Sequence, residues 1–225
     1  MIARGKFIVF DGPDGSGKGT QLARLEQWLG ENGRSTVRAK DPGGTEIGDR
    51  IRHVLLGHDL AQMAPRCEAL LFMASRAQLV REIVEPALNT GKIVLGDRFI
   101  SSTCAYQVAA GFPREQVIAL GNFAVGSTWP HLTIVLDVPP EVGFERTGRK
   151  PHHVSRRGGT GQLSMFDDAE PDAMERRPLD FHRRVRQLFL ELPSAYPTPV
   201  AVIDGARPAD AVFADVLQTV QRALG

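Results

Sequence analysis

Cysteine is scarce: Cys67 and Cys104 are the only two in 225 residues. They form neither a Cys-x-x-Cys pair nor a zinc-ligand spacing. That excludes a disulfide framework and suits free thiols in a reducing cytoplasm. Net charge is nearly absent, +1 at pH 7, so no whole-molecule field calls for nucleic acid or a membrane surface. The aromatic-basic stripe of a nucleic-acid-binding module is missing too. Long apolar runs are also lacking. Phe7 to Phe10 is far too short to span a bilayer, and no signal-peptide pattern follows Arg4 and Lys6. The expected location is the cytoplasm.

What is present is a chain with 42% hydrophobic residues, enough for one core and one expected domain, 1–225. Phe7-Ile8-Val9-Phe10 reads as a strand buried on both faces, as in a parallel sheet. A glycine-rich turn follows, then a helix with Leu22, Leu25, Trp28 and Leu29 on one side, ended by Gly30 and Gly33. A second strand covers roughly Ser35 to Lys40, and Pro42-Gly43-Gly44 forces a loop. Leu70, Met73, Ala77, Val80 and Val84 give a helix from about Arg66 to Leu88. Ile93-Val94-Leu95 is a third strand, stopping at Gly96-Asp97. Two helical stretches break at Gly111-Phe112-Pro113. Leu132 to Leu136 and Val200 to Ile203 are strands four and five, and a last helix carries Phe213, Val216, Leu217, Val220 and Leu224. Strands alternating with helices predict an α/β fold: a five-stranded parallel sheet between helical layers, with ligands beyond the carboxyl ends of the strands.

Thr147 to Asp172 breaks the pattern. It is rich in glycine and arginine, contains His152-His153 and has few apolar residues. It reads as a mobile lid over a phosphate site. Two adjacent histidines without further ligands read as surface residues, not as a metal site.

Gly12-Pro13-Asp14-Gly15-Ser16-Gly17-Lys18 matches the start of the P-loop pattern, between a strand and a helix. Glycines let the chain curl so that several backbone N–H groups converge on a polyphosphate. The next helix aims its positive N-terminus at the same anion, and Lys18 adds a full charge. The position that ordinarily carries a magnesium-binding hydroxyl is Gly19. Thr20 follows, but one residue along a helix is a rotation of about 100°, so it cannot simply replace that group. Asp97, at the end of the third strand, is placed to orient Mg²⁺ and its waters, and Arg98 to face phosphate.

Five blocks in order now resemble thymidylate kinases. They are the P-loop with its internal Asp14, Lys40-Asp41-Pro42-Gly43-Gly44-Thr45 with Gly48, Ile51 and Arg52 behind it, and Leu71-Phe72 through Arg76-Ala77-Gln78. Asp97-Arg98-Phe99 with Ser102 and Ala105-Tyr106-Gln107, then Leu136-Asp137-Val138-Pro139-Pro140-Glu141, complete the set. The resemblance implies a homodimeric P-loop kinase of three-layer α/β/α architecture that phosphorylates dTMP with ATP and Mg²⁺. It places ATP on Gly12 through Thr20, with Asp97 and Thr20 nearest the metal. It places the acceptor on Asp14, Lys40, Asp41, Pro42, Phe72, Arg76, Arg98, Ser102, Thr103, Tyr106 and Gln107. Phe72 and Arg76 are four apart on one helix and share a face, which suits stacking on a pyrimidine and holding its polar edge or phosphate. Lys40 and Asp41 stand where the family carries arginine and glutamate. The P-loop has no arginine of its own, so transition-state charge falls to the lid, with Arg149, Arg156 and Arg157 as candidates beside Lys18, Asp97 and Arg98. Another deoxynucleoside monophosphate as acceptor, or a non-catalytic nucleotide-binding switch, stays open at this point.

Overall fold

The computed structural model describes residues 5–57, 63–148 and 177–224. Arg149, Arg156, Arg157 and almost all of the expected lid therefore lie outside the described residues. Five strands form one parallel sheet: β1 (Phe7–Asp11), β2 (Thr36–Lys40), β3 (Ile93–Asp97), β4 (Leu132–Asp137) and β5 (Val200–Asp204). Their spatial order is β2-β3-β1-β4-β5. The chain leaves β1 for one side of the sheet and later returns to the other side of it. The strands therefore separate around β1, and the carboxyl ends of β1 and β3 border the crevice where such folds bind ligands. Phe10 lies opposite Asp97 in register.

Strand side chains alternate between two cores. Phe7, Val9, Val94 and Val135 face one; Ile8, Phe10, Leu95, Ile134 and Leu136 face the other. The second core is closed by α1 (Lys18–Glu31) and α9 (Ala209–Leu224), through Leu22, Leu25, Leu29, Val212, Val216 and Val220. The first is closed by α3 (Pro65–Leu79), α4 (Glu85–Asn89), α5 (Ile100–Ala109), α6 (Arg114–Val125) and α8 (Leu179–Ala195). Because both sheet faces are covered, the central strands β1, β3 and β4 are predominantly apolar and buried. Among the described residues, no helix is long and apolar enough to cross a membrane.

Three local expectations change. Gly30 lies inside α1; the left-handed residue after that helix is Gly33, at φ 70°. The helix expected to run unbroken to Leu88 widens into a π-helical turn over Val80–Val84 before α4. Pro86 cannot donate to the preceding turn and its ring crowds that carbonyl, a recognised cause of such irregularity. The pattern reading also passed over α2 (Glu46–Gly57), α7 (Pro140–Arg146) and α8. In α2 only Gly48 and Leu55 are buried, while Ile47 and Val54 are exposed, so its apolar spacing does not mark a core face.

Candidate functional site

The turn after β1 curls through three glycines with positive φ: Gly12 (130°), Gly15 (72°) and Gly17 (90°). At Gly15 any side chain is excluded twice. The backbone is left-handed, and a Cβ would meet the Gly143 carbonyl oxygen at 2.2 Å. The outer wall of the loop is thus packed backbone to backbone against α7. Gly17 precedes the first residue of α1, so the unpaired N–H groups of that helix open into the loop. Lys18 Nζ reaches back across it to the carbonyls of Gly12 (3.1 Å) and Pro13 (2.9 Å).

Beside the loop, β3 ends at Asp97 and the chain turns sharply. Arg98 has φ 65°, the one non-glycine residue with positive φ among the described residues. Its guanidinium bridges two elements. Nη2 pairs with Asp14 of the loop, and Nη1 donates to Ser102 Oγ on α5 (3.1 Å) and to the Gly12 carbonyl (3.3 Å). It also lies over the Tyr106 ring, 5.3 Å from the centroid.

A cleft opens from this point. It is lined by Asp14, Asp41, Pro42, Arg52, Leu56, Phe72, Arg76, Arg98, Ser102, Thr103, Tyr106 and Gln107. Ten of these twelve are acceptor-site residues expected from sequence, brought from five separate elements and loops. Lys40 is not among them: it is exposed at the end of β2. Arg52, on α2, lines the cleft instead and donates to the Pro42 carbonyl (3.0 Å). The Asp41-Pro42 peptide is cis.

A second cavity lies on the other flank of the loop, lined by Gly15, Ser16, Gly17, Thr20, Gln21, Arg146, Gly205, Arg207, Ala209 and Val212. Arg146 is anchored there by hydrogen bonds to the carbonyls of Gly205 (2.8 Å) and Ala206 (3.1 Å). Arg146 is not among the nucleotide-binding residues expected from sequence. A lone arginine at the end of a short helix carries no sequence signal for a cavity wall.

A model of the thymidylate kinase family matches residues 10–216. The chain is 40% identical over 213 residues to a thymidylate kinase of Kosmotoga olearia, covering 94% of this chain and 93% of that protein. It is 39% identical over 220 residues to a thymidylate kinase of Deinococcus radiodurans, covering 97% and 98%. A thymidylate kinase of Clostridium novyi is 38% identical over 214 residues, covering 95% and 97%. The chain belongs to the thymidylate kinase family.

In this thymidylate kinase family member the electrostatics of the cleft follow from burial. Arg76 and Asp41 form an ion pair, Nε to Oδ2 at 2.6 Å, with side chains only 1% and 0% exposed. Arg76 also donates to the Phe99 carbonyl (3.1 Å) and to Thr103 Oγ1 (3.3 Å). Its guanidinium therefore has a set orientation on the cleft wall. Burial pushes the Asp41 carboxyl up, with Arg76 pulling the other way. Burial, and then the Arg98 charge, lower Lys18 to about 8, against the opposing pull of Asp14, Asp11 and Asp97. Among the described residues no group of three or more His, Cys, Asp or Glu could hold a metal.

Two outcomes are expected. Replacing Asp41 with Ala leaves a buried arginine without its partner and should lower stability by about 3–5 kcal/mol. Chemical denaturation measures this, and a loss below about 1 kcal/mol would show that Arg76 does not depend on Asp41. The second concerns Lys18. It is charged below its pKa of about 8 and neutral above it, and a bound polyphosphate favours the charged form. Polyphosphate binding should therefore take up a proton above that pH and weaken by up to about tenfold per pH unit. Titration calorimetry at about pH 9 in two buffers of different ionisation enthalpy measures the uptake; pH-independent affinity contradicts it.

Proposed function

We propose that this chain transfers the terminal phosphoryl group of ATP to dTMP, giving dTDP. The observation that carries the reading is the junction of the phosphate cradle with the nucleotide-sized cleft, at Asp14 and Arg98. Family membership supports dTMP as the acceptor and ATP as the donor.

In this reading the donor's phosphates lie on the loop from Gly12 to Gly17, with Lys18 at the outer phosphates and Gly19 and Thr20 opening the helix behind them. The donor's base reaches the second cavity, where Arg146 offers a flat cation. The acceptor's base lies against Phe72, with Arg76, Thr103 and Gln107 at its edge. Tyr106 and Ser102 flank the sugar, and Arg98, with Arg52 in place of the expected Lys40, meets the phosphate. The acceptor phosphate has a second pKa of about 6 and is largely a dianion near neutral pH, so no strong general base is needed. What the protein must supply is positive charge and alignment of two anions. The geometry supports Lys18 and Arg98 in that role. Arg149, Arg156 and Arg157 remain sequence-based candidates for the rest.

The donor set suits Mg²⁺, which keeps several waters and takes one or two carboxylates plus phosphate oxygens. Asp97 would hold it, with the Thr20 hydroxyl as a further oxygen. When bound it would draw off charge from the phosphates.

We also propose a homodimer. Leu70 on α3 and Phe123 on α6 are apolar yet 48% and 92% exposed, and these two helices pack side by side. Light scattering should give twice the chain mass for the wild type and a lower mass for Phe123→Glu; a wild-type monomer rejects the proposal.

The reaction itself is tested with an ADP-release assay on a panel of nucleoside monophosphates. dTMP should be the preferred acceptor, and Lys18→Ala or Asp97→Ala should cut kcat by at least about a hundredfold. Preference for another monophosphate, or near-wild-type turnover in both variants, rejects the assignment.

A further inference from the structure

A heavily bonded carboxylate in the crevice belongs to Asp11, the last residue of β1, which is fully buried. Four donors converge on it. Oδ1 accepts from the Gly12 backbone N–H (2.9 Å), from Ser102 Oγ (2.7 Å) and from Arg98 Nη1 (3.4 Å). Oδ2 accepts from Ser101 Oγ (2.5 Å). These donors come from two stretches of chain about ninety residues apart, separated by 90 positions for Ser101 and 91 for Ser102. One is the first residue of the phosphate loop. The other is the β3–α5 junction that carries Arg98.

We infer that Asp11 is a positioning residue for phosphoryl transfer: its carboxylate fixes the Arg98 guanidinium against the first turn of the phosphate loop. The inference rests on the phosphoryl-transfer reading above. Arg98 needs such a hold for two reasons. Its backbone sits at φ 65°, a conformation that a non-glycine residue keeps only when its surroundings over-determine it. Its side chain is long and would otherwise sample many rotamers. Asp11 restrains both ends of the problem. It binds the guanidinium directly, and through Ser101 and Ser102 it ties down the start of α5 that follows the turn. The carboxylate also lies at the N-terminus of that helix, where the helix dipole favours negative charge. No side-chain cap is present at Phe99 to serve that end.

Asp11 itself is sealed from the cleft and does not line it, so its effect reaches substrate only through Arg98 and the loop. Truncating a carboxylate that merely stabilised the fold would lower the melting temperature and leave turnover per folded molecule unchanged. A positioning carboxylate instead lowers kcat, because a small misplacement of a charged group costs much of its effect.

The test uses the full-length enzyme with Asp11→Asn, which keeps size and shape but removes the negative charge. Circular dichroism confirms folding, and kcat and both KM values are measured with ATP and dTMP. The expected result is a fall in kcat of about tenfold to a hundredfold with KM for ATP changed by less than about threefold. In an Arg98→Lys background, the same substitution should cost much less, since its route of action is already damaged. A folded Asp11→Asn enzyme with kcat within about twofold of wild type, or an equal loss in both backgrounds, overturns the inference. Should Asp11→Asn not fold, Ser101→Ala removes the hydroxyl that holds Oδ2. A lowered kcat there supports the positioning role and an unchanged kcat overturns it. Failure of the underlying reading is distinguishable, because wild-type enzyme would then transfer no phosphate to dTMP at all.

Discussion

The cluster of Arg98 with Asp11 and Asp14 is the contact on which the rest of the site depends. It lies at the crevice between β1 and β3, where the sheet topology leaves room for ligands. It also joins two structures with different tasks. The phosphate loop belongs to β1 and α1, and the cleft belongs to α3 and α5. Without the cluster they would be two adjacent sites; with it they share a wall. A reaction between two anions needs that shared wall, because positive charge must stand at the line where they meet. Burial disfavours the Arg98 charge, but Tyr106 and the carboxylates of Asp14, Asp11 and Asp97 outweigh it and raise its pKa. Arg98 therefore stays cationic at any working pH.

The supporting fold makes that placement precise through packing rather than through flexible side chains. Gly15 meets Gly143 backbone to backbone, so the loop has no slack on its outer side. Arg76, 1% exposed, is held by Asp41, the Phe99 carbonyl and Thr103 at once. A buried ion pair is a weak source of stability, but it gives a cleft wall one defined polarity. Two charged groups, Lys18 and Arg76, are thus kept in half-buried or buried positions where water screens them little.

Much of this was legible in the sequence, for definite physical reasons. Parallel strands covered on both faces are predominantly apolar, so the central strands β1, β3 and β4 stood out, while the edge strands β2 and β5 are only partly buried. The loop was legible because only glycine tolerates its conformations at fixed spacing. Phe72, Arg76, Ser102 and Tyr106 were legible through the resemblance to thymidylate kinases, and helical spacing agreed with it by placing residues four apart on one face. What escaped was whatever depends on long-range contact. Asp11 beside Gly12 reads as the end of a strand, and nothing local reveals that residues 87 to 91 positions away bond to it. Arg52 replaced Lys40 on the cleft because α2, a helix with few buried residues, swings its side chain inward while β2 ends with Lys40 in solvent. Arg146 became a cavity wall only through carbonyls near residue 205.

The central claim is that the cradle and the cleft meet end to end at Arg98. Binding of a single molecule in which adenosine and thymidine are joined through five phosphates tests this directly by calorimetry. If the two sites share the wall described, that compound should bind at least about a hundredfold tighter than dTMP, since linked ligands pay one association cost where separate ones meet two. Affinity no better than that of dTMP alone would contradict the account, because it would mean that the two nucleotides cannot occupy the crevice in line.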